Sequence, residues 1–460
     1  MNYDGPFHFV GAGGIGMSAI ARILRARGER VSGSDVQATP LVEQLRDEGV
    51  AVTIGHAGEN VRGARTVVVS SAIDRRNPEY AAARRNGTPV LHRGEMLAQI
   101  LQGRRGIAVC GTHGKTTTTA MTHAVLRSGE IDAGLVLGGI DGLLETNAHD
   151  GTSPWFVTEA DESDGSFALL EPAMAVVTNI ENDHLVSDDE LPQLVRAFTE
   201  FLGKLPDGGV AIVGIDNPLA ASLLTRRLRA RTKTFGLDAR ADVGATNLRF
   251  AGLGGHFTLT VDGVERGEVE LNVPGVMNVQ NALGAIAVGL ELEVSFAHVA
   301  QALKQFRGVR RRFDVLARTQ RMTVVDDYAH HPTAVRATIA AARGYHAGPV
   351  IVAFQPHRYT RTAFLARDFA DALRDADRVY LAPVYAASEP AIPGVSERSI
   401  GEPLTALGTN VRYAARVEDL TERLFEEAPP GALVLVLGAG NVSEIATRLA
   451  ERVAEPAVVR

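Results

Sequence analysis

Three short apolar runs in this chain each break into a glycine turn and then a helix-like stretch: "FHFVGAGG" from Phe7, "GIAVCGTHG" from Gly106 and "LVLVLGAGN" from Leu433. A strand apolar on both faces, then a turn that glycine enters at low cost, then a helix, is the repeating unit of a buried parallel sheet. Further strand candidates fill the gaps: "RTVVVSSAI" at 65, "WFVTEA" at 155, "AVVTNI" at 175, "GVAIVG" at 209, "MTVVDDYA" at 322 and "PVIVAFQP" at 349. Helical patterns such as "SAIARILRARG" at 18 and "TAFLARDFADALRDA" at 362 alternate with them. The fold class is therefore α/β.

A chain of 460 residues exceeds what one core can organise, so three domains are expected. The first break falls after the helix in "EMLAQILQGRRG", and the second at the arginine cluster of "FRGVRRRFDVL". The expected domains are residues 1–103, 104–308 and 309–460. Within the middle one, "GHFTLTVDGVERGEVELNV" alternates with period two and reads as a small antiparallel sheet added to the parallel one.

Net charge is −7, so no bulk field draws in nucleic acid or anionic lipid, and an anionic ligand has to be held by local donors. The single cysteine, Cys110, excludes an internal disulfide and suits a reducing compartment. No signal-peptide pattern opens the sequence, and "ALVLVLGAG" at 432–440 falls far short of a membrane span. A cytoplasmic protein with no nucleic-acid or membrane partner is expected.

In "VCGTHGKTTTTA", Gly111 and Gly114 let successive N–H groups turn toward phosphate oxygens, Lys115 reaches the β/γ-phosphates, and Thr116 offers a hydroxyl to Mg²⁺. The loop is a variant, since Val109 stands where the usual phosphate loop has its first glycine. Four successive threonines are a poor helix start on propensity alone, which favours a nucleotide role. "FVTEADESD" then sets Glu159, Asp161, Glu162 and Asp164 just past a strand, where acids at a parallel sheet's carboxyl edge meet metal and ligand. "VTNIENDHL" ends the next strand candidate with His184, which faces Glu159 in this reading.

The other glycine turn, Gly11, Gly13, Gly14 and Gly16 after "FHFV", fits the dinucleotide fingerprint, with Asp35 at about the ribose-binding position. Alone it predicts an NAD-dependent oxidoreductase. Its physics is only that of backbone approaching a pyrophosphate, and UDP has one too. Nothing later in the chain looks like a hydride-transfer site. In the last third, "VVDDYAHHPTAV" and "FQPHRYTRT" gather Asp, His and Arg at strand ends as anion or sugar clamps, while "GVRRRF" reads equally as a charged helix face or as Arg311 or Arg312 offered to phosphate across a domain gap.

Taken together, "GAGGIGMSAIA", "VSGSD", "GTHGKTTT", "EADESD", "TNIENDH", "NVPGVMNVQNA", "RRRFD", "DDYAHHPT" and "FQPHRYTRT" resemble, in order, the motifs of the Mur ligases, the ATP-dependent amide-forming enzymes of bacterial cell-wall synthesis. The resemblance implies a Rossmann-like substrate domain, a central P-loop ATPase and a C-terminal Rossmann-like domain that closes over ATP. The "GGIGMS" start implies the branch that takes UDP-N-acetylmuramate and L-alanine, as monomer or dimer. It implies ATP contacts at Gly111, Thr112, His113, Gly114, Lys115, Thr116 and Thr117, with Asn278 and Asn281 at adenine. Arg312 and Asp327 come from the closing domain. Thr116, Glu159 and His184 hold Mg²⁺, and Lys115, Glu159, His184 and Arg312 act in catalysis. Gly11, Gly13, Gly14, Gly16, Asp35, Ser71, His330 and Arg358 fall to the substrates. Met277 stands where the family usually has His, Asn182 departs from "NIEPDHMD", and Lys204 is a poor match for the carbamylated lysine of several relatives. The rival readings are a sister ligase adding a whole peptide, the oxidoreductase, and a nucleotide-regulated scaffold.

Overall fold

The computed structural model describes residues 3–161, 166–182 and 191–454. Three sheets follow one another along the chain. The first is all parallel, with strands β1 (Phe7–Val10), β2 (Val31–Asp35), β3 (Ala51–Ile54), β4 (Thr66–Val69) and β5 (Val90–His92) in the order β3-β2-β1-β4-β5. Helix α1 (Ile15–Ala26) follows β1, and α2 (Arg93–Ile100) follows β5 directly. The strand order reverses between β1 and β4, which opens a crevice at their carboxyl ends.

The second sheet has ten strands: β6 (Arg105–Cys110), β7 (Gly134–Val136), β8 (Ala148–His149), β9 (Trp155–Glu159), β10 (Met174–Val177), β11 (Val210–Gly214), β12 (Arg231–Gly236), β13 (Val243–Ala251), β14 (Gly254–Val261) and β15 (Val264–Leu271). Its centre reads β11-β10-β6-β9-β7, all parallel, and every residue of β10 and β11 is buried. The chain leaves β6 through α3 (Lys115–Ser128) toward β7 and later returns to β6's other side as β10, so the switch point lies at the end of β6. The period-two stretch forms antiparallel β13, β14 and β15, which extend the main sheet, because β12 and β13 pair in parallel. Helix α4 (Val276–Glu291) packs against α3.

The third sheet, in the order β16-β17-β21-β18-β19-β20, holds β16 (Asp314–Arg318), β17 (Met322–Asp327), β18 (Val350–Phe354), β19 (Arg378–Leu381), β20 (Asn410–Tyr413) and β21 (Ala432–Leu437). Helix α5 (Pro332–Tyr345) links β17 to β18. The single helix expected over 362–376 is two, Tyr359–Phe364 and Ala366–Leu373, since Leu365 leaves helical backbone at φ −106°, ψ 17°. Among the described residues no helix is long and apolar enough to cross a membrane.

Polar seams join the units. Asn147 Nδ2 donates to Ile15 O (2.7 Å) and Ser18 Oγ (2.9 Å) on α1, and buried Arg22 donates back to Asn147 Oδ1 at 2.6 Å. On the other side Arg310 N–H donates to Ile140 O at 2.8 Å and its guanidinium pairs with Glu145 at 2.7 Å.

One buried polar group on α3 makes stability depend on pH. His123 Nε2–H donates to Ala133 O at 3.2 Å, and Nδ1 has no hydrogen-bond partner among the described residues. Burial, aided by His149 and Arg127, holds its pKa down at about 4. Between the ordinary 6.5 and that value the unfolded chain binds a proton that the folded chain refuses, so stability present above pH 6.5 is lost as the pH falls toward 4. The loss is about 3 kcal/mol. Urea unfolding of wild type and His123→Leu across that window should give curves that diverge by this amount; parallel curves contradict it.

Candidate functional site

At the end of β6 the backbone turns through Gly111 (φ +127°) and Gly114 (φ +82°), conformations that side chains resist. Space forbids a side chain as well: a Cβ on Gly111 would lie 2.2 Å from Thr178 Oγ1, and one on Gly114 2.3 Å from Asn281 Oδ1. The loop is braced by the segment after β10. Thr112 N–H donates to Asn179 O (3.0 Å) and His113 N–H to Asn179 Oδ1 (2.8 Å), while Thr178 Oγ1 donates to His113 O at 2.6 Å. Lys115 folds back over this loop, its Nζ 2.6 Å from Gly111 O.

Thr116, in the first turn of α3, donates its hydroxyl to Glu159 Oε2 at 2.9 Å, and Gly138 N–H donates to the other carboxylate oxygen. Glu159 ends β9, the neighbour of β6, which explains the contact across 43 residues. Burial pushes its carboxyl up from the ordinary value, opposed by those two hydrogen bonds and by the charges of Lys115 and Arg312. Arg312, in the segment leading into the third sheet, lies over the Tyr328 ring at 5.0 Å. Arg311 instead bonds Asp326 Oδ2 (3.2 Å) and Gly438 O (2.8 Å). Asp327 lies beyond Arg312, its carboxylate accepting from Phe313 N–H and Ala329 N–H at 2.7 Å each, and burial raises it too. Thr117 is buried in the first turn of α3.

Asn278 and Asn281 share one face of α4. Asn281 Nδ2 donates to Asn278 Oδ1 (3.1 Å), and Thr118 Oγ1 on α3 donates to Asn281 Oδ1 (3.2 Å). Asn281 thus sits against α3, and Asn278 Nδ2 donates to Pro274 O at 2.7 Å. Met277 packs under Gly275, where a Cβ would lie 2.4 Å from its sulfur. His184, Glu162 and Asp164 lie outside the described residues, and Lys204 is exposed in the turn after the helix Leu191–Leu202.

The fingerprint loop after β1 is tied to its own domain. The N–H groups of Gly11 and Ala12 donate to Ser34 O, that of Gly13 to Asp35 Oδ2 at 2.9 Å, and that of Gly14 to Gly11 O. Asp35 therefore braces the loop. The first bond into α1 is Ser18 N–H to Gly14 O at 2.8 Å, so the amides of Ile15, Gly16 and Met17 have no carbonyl within the helix to donate to. A Cβ on Gly16 would sit 3.5 Å from Arg93 Nη1, so a guanidinium stands beside that helix end. Ser71, past β4, bonds His92 Nε2 at 3.0 Å, one residue before Arg93. Sequence reasoning missed Arg93, which opens α2 after a short strand, "VLH", with no glycine signature; its pairing with Asp161 (3.7 Å) joins the fingerprint side to the acidic strand end.

At the third sheet's carboxyl edge His330 Nδ1 lies 2.9 Å from Tyr328 O, and its ring meets those of Tyr328 (5.0 Å) and His357 (5.6 Å). His357 stacks on Tyr385 and approaches the buried Arg361. Arg358, at φ +73°, turns its guanidinium to Glu389. The sequence pointed to His330 and Arg358; the same cluster includes Tyr385, which lies in no motif. Glu181 and His331 were also unassigned. Glu181 Oε2 accepts from Thr333 Oγ1 at 2.7 Å and lies 3.3 Å from His113 Nε2. Burial opposes ionisation there, yet bonds from His113 and Thr333 bring its carboxyl below the ordinary value.

Three family models match successive parts of the chain: Mur ligase family, catalytic domain, at residues 6–105; Mur ligase middle domain at 109–289; and Mur ligase, glutamate ligase domain, at 311–440. The chain is 43% identical over 446 residues to the UDP-N-acetylmuramate–L-alanine ligase of Geotalea uraniireducens, covering 97% of both. It is 44% identical over 450 residues to that of Acidobacterium capsulatum, again covering 97% of each. The crystal structure of UDP-N-acetylmuramate–alanine ligase from Thermotoga maritima superposes with a TM-score of 0.84 at 29% identity, over 97% of this chain and 99% of that one. A murein peptide ligase from Psychrobacter arcticus shares the fold, with a TM-score of 0.74 at 24% identity over 98% and 99% of the two chains.

Proposed function

The chain belongs to the Mur ligase family, and from that premise we propose that it joins L-alanine to the lactyl carboxylate of UDP-N-acetylmuramate while ATP becomes ADP and phosphate, a step of peptidoglycan precursor synthesis in the cytoplasm. The observation that carries the ATP-dependent part is the contact of Thr116 with half-buried Glu159, whose carboxylate feels the charges of Lys115 and of Arg312 from the third unit. The acid and the amine rest on the names of relatives at 43–44% identity.

A carboxylate does not condense with an amine in water, because its oxygen is a poor leaving group. In this reading a lactyl carboxylate oxygen attacks the γ-phosphorus of ATP, the bond to the bridging oxygen breaks, and ADP leaves. The amine of L-alanine then attacks the acyl carbonyl; the new C–N bond forms, a proton leaves the nitrogen, and the C–O bond to phosphate breaks. Lys115 moves from Gly111 O onto the γ-phosphate and neutralises charge in transit, and Arg312 does so from the closing side. Shut between the units, the acyl phosphate is kept from water.

Mg²⁺ fits the donors present: a hydroxyl and a carboxylate, hard oxygens in contact, the carboxyl raised by a burial that a cation offsets. Thr116 and Glu159 would hold it, with His184 as the third expected ligand, and it would supply charge neutralisation at the phosphates. Asn278 and Asn281 line the adenine side in this reading. The amides of Ile15 and Gly16 with Arg93 hold the UDP diphosphate. His330, Arg358 and Arg361 hold the amino acid.

The test is phosphate release from ATP with UDP-N-acetylmuramate and L-alanine, glycine, L-serine or an L-alanine-headed tripeptide. L-Alanine should be the best acceptor. Release with the tripeptide alone points to the sister ligase, and NADH binding with no heat on adding magnesium nucleotide overturns the reading.

A further inference from the structure

We propose that His113, Glu181 and His331 form a site for a transition-metal dication of the zinc class, shared between the second and third units. One ligand atom from each residue lies within 4.8 Å of the other two. Two ligands on a tetrahedral ion with bonds near 2.0–2.1 Å stand about 3.4 Å apart. His113 Nε2 and Glu181 Oε2 are already at that spacing, 3.3 Å, and a small rotation of the His331 ring, whose centroid is 5.2 Å from that of His113, closes the third side.

The protein positions all three. The backbone of His113 is fixed, its N–H held by Asn179 Oδ1 and its carbonyl by Thr178 Oγ1 and Asn179 Nδ2, which sets where its ring starts. Glu181 N–H donates to Thr112 Oγ1 at 2.8 Å, which fixes where its side chain starts. Thr333 Oγ1 donates to Glu181 Oε2, the kind of outer hydrogen bond that orients a ligating carboxylate. His331 is buried at the N-terminal end of α5. Two imidazoles and a carboxylate select Zn²⁺, Co²⁺ or Ni²⁺ over Mg²⁺, whereas the Mg²⁺ site has a hydroxyl and a carboxylate from Thr116 and Glu159 with one expected imidazole, His184.

His113 and Glu181 come from the nucleotide-binding unit and His331 from the third. An ion here ties the units together and pins a residue of the phosphate loop. On the proposed ligase reading, in which nucleotide is shut between the units, zinc slows turnover by holding them together. Metal binding itself does not depend on the ligase assignment.

The test titrates metal-free, full-length protein with Co²⁺ in excess Mg²⁺ and ADP, following visible absorption. Wild type should take up one equivalent with the intense bands of a tetrahedral ion, displaced by Zn²⁺. Glu181→Gln and His331→Gln should weaken binding more than about a hundredfold, and Thr333→Val, which removes only an outer partner, by about 10–100-fold. Melting temperatures near wild type show that the variants fold. Zinc should inhibit wild-type turnover and lose that effect in His331→Gln. No tetrahedral absorption in wild type, or binding unchanged in both ligand variants, overturns the proposal. Because absorption reports on the ion alone, that failure is distinct from a failure of ATP turnover.

Discussion

Lys115→Ala should fold normally and yet release phosphate from ATP about a thousandfold more slowly than wild type, a loss of ~4 kcal/mol in transition-state stabilisation. The side chain starts α3 in a loop whose shape is set by Gly111, Gly114 and the Asn179 brace. Its ligand-free contacts include the loop carbonyls of Gly111 and Thr112, so its removal takes little from the fold. What it takes is the one flexible cation on the loop, opposite the phosphoryl group in transit. Steady-state phosphate release beside a melting curve separates the two effects. Turnover within about tenfold of wild type would move the chemistry elsewhere.

Glu159→Gln carries the second large effect, with a split signature. Turnover should fall about a hundredfold or more, and the Mg²⁺ concentration for half-maximal rate should rise, because a hard anionic ligand becomes a neutral amide. The ligand-free protein should nevertheless melt at a higher temperature than wild type. Burial raises the Glu159 carboxyl above its ordinary value, so at neutral pH the ionised group costs folding free energy, while glutamine keeps both contacts: its one oxygen accepts from Gly138 N–H, and its amide N–H donates to Thr116 Oγ1, whose hydroxyl rotates to accept it. Activity lost together with melting temperature would mean the carboxylate serves the fold. Activity retained would remove it from the metal site.

Much of the fold was legible because a strand buried on both faces has to be apolar almost throughout: β1, β6, β10, β11 and β21 all announce themselves this way. Edge strands carry no such requirement. β3 buries one of its four residues, and β20, "NVRY", none, so neither was visible before the structure. The hairpins β13–β15 were visible as alternation, but their continuity with the parallel sheet depends on two residue pairs between β12 and β13 that no local pattern encodes.

The site divides along the same line. Glu159 ends an apolar strand, and Lys115 and Thr116 open the helix that follows one, so the strand signal locates all three. Asp35 also ends a strand, and a ribose-binding acid and a loop brace leave the same trace in sequence, so its bond to Gly13 N–H is visible only in the structure. Arg93 and Glu181 matter through partners far along the chain, Gly16 and Thr333, and such pairings become visible only once the sheets bring strand ends together.

The most direct measurement follows oxygen. UDP-N-acetylmuramate labelled with ¹⁸O in its lactyl carboxylate is turned over with ATP and L-alanine, and the phosphate released is weighed by mass spectrometry. Activation by phosphoryl transfer predicts one ¹⁸O in each phosphate, with ADP as the nucleotide product. Unlabelled phosphate, or AMP in place of ADP, would contradict the account.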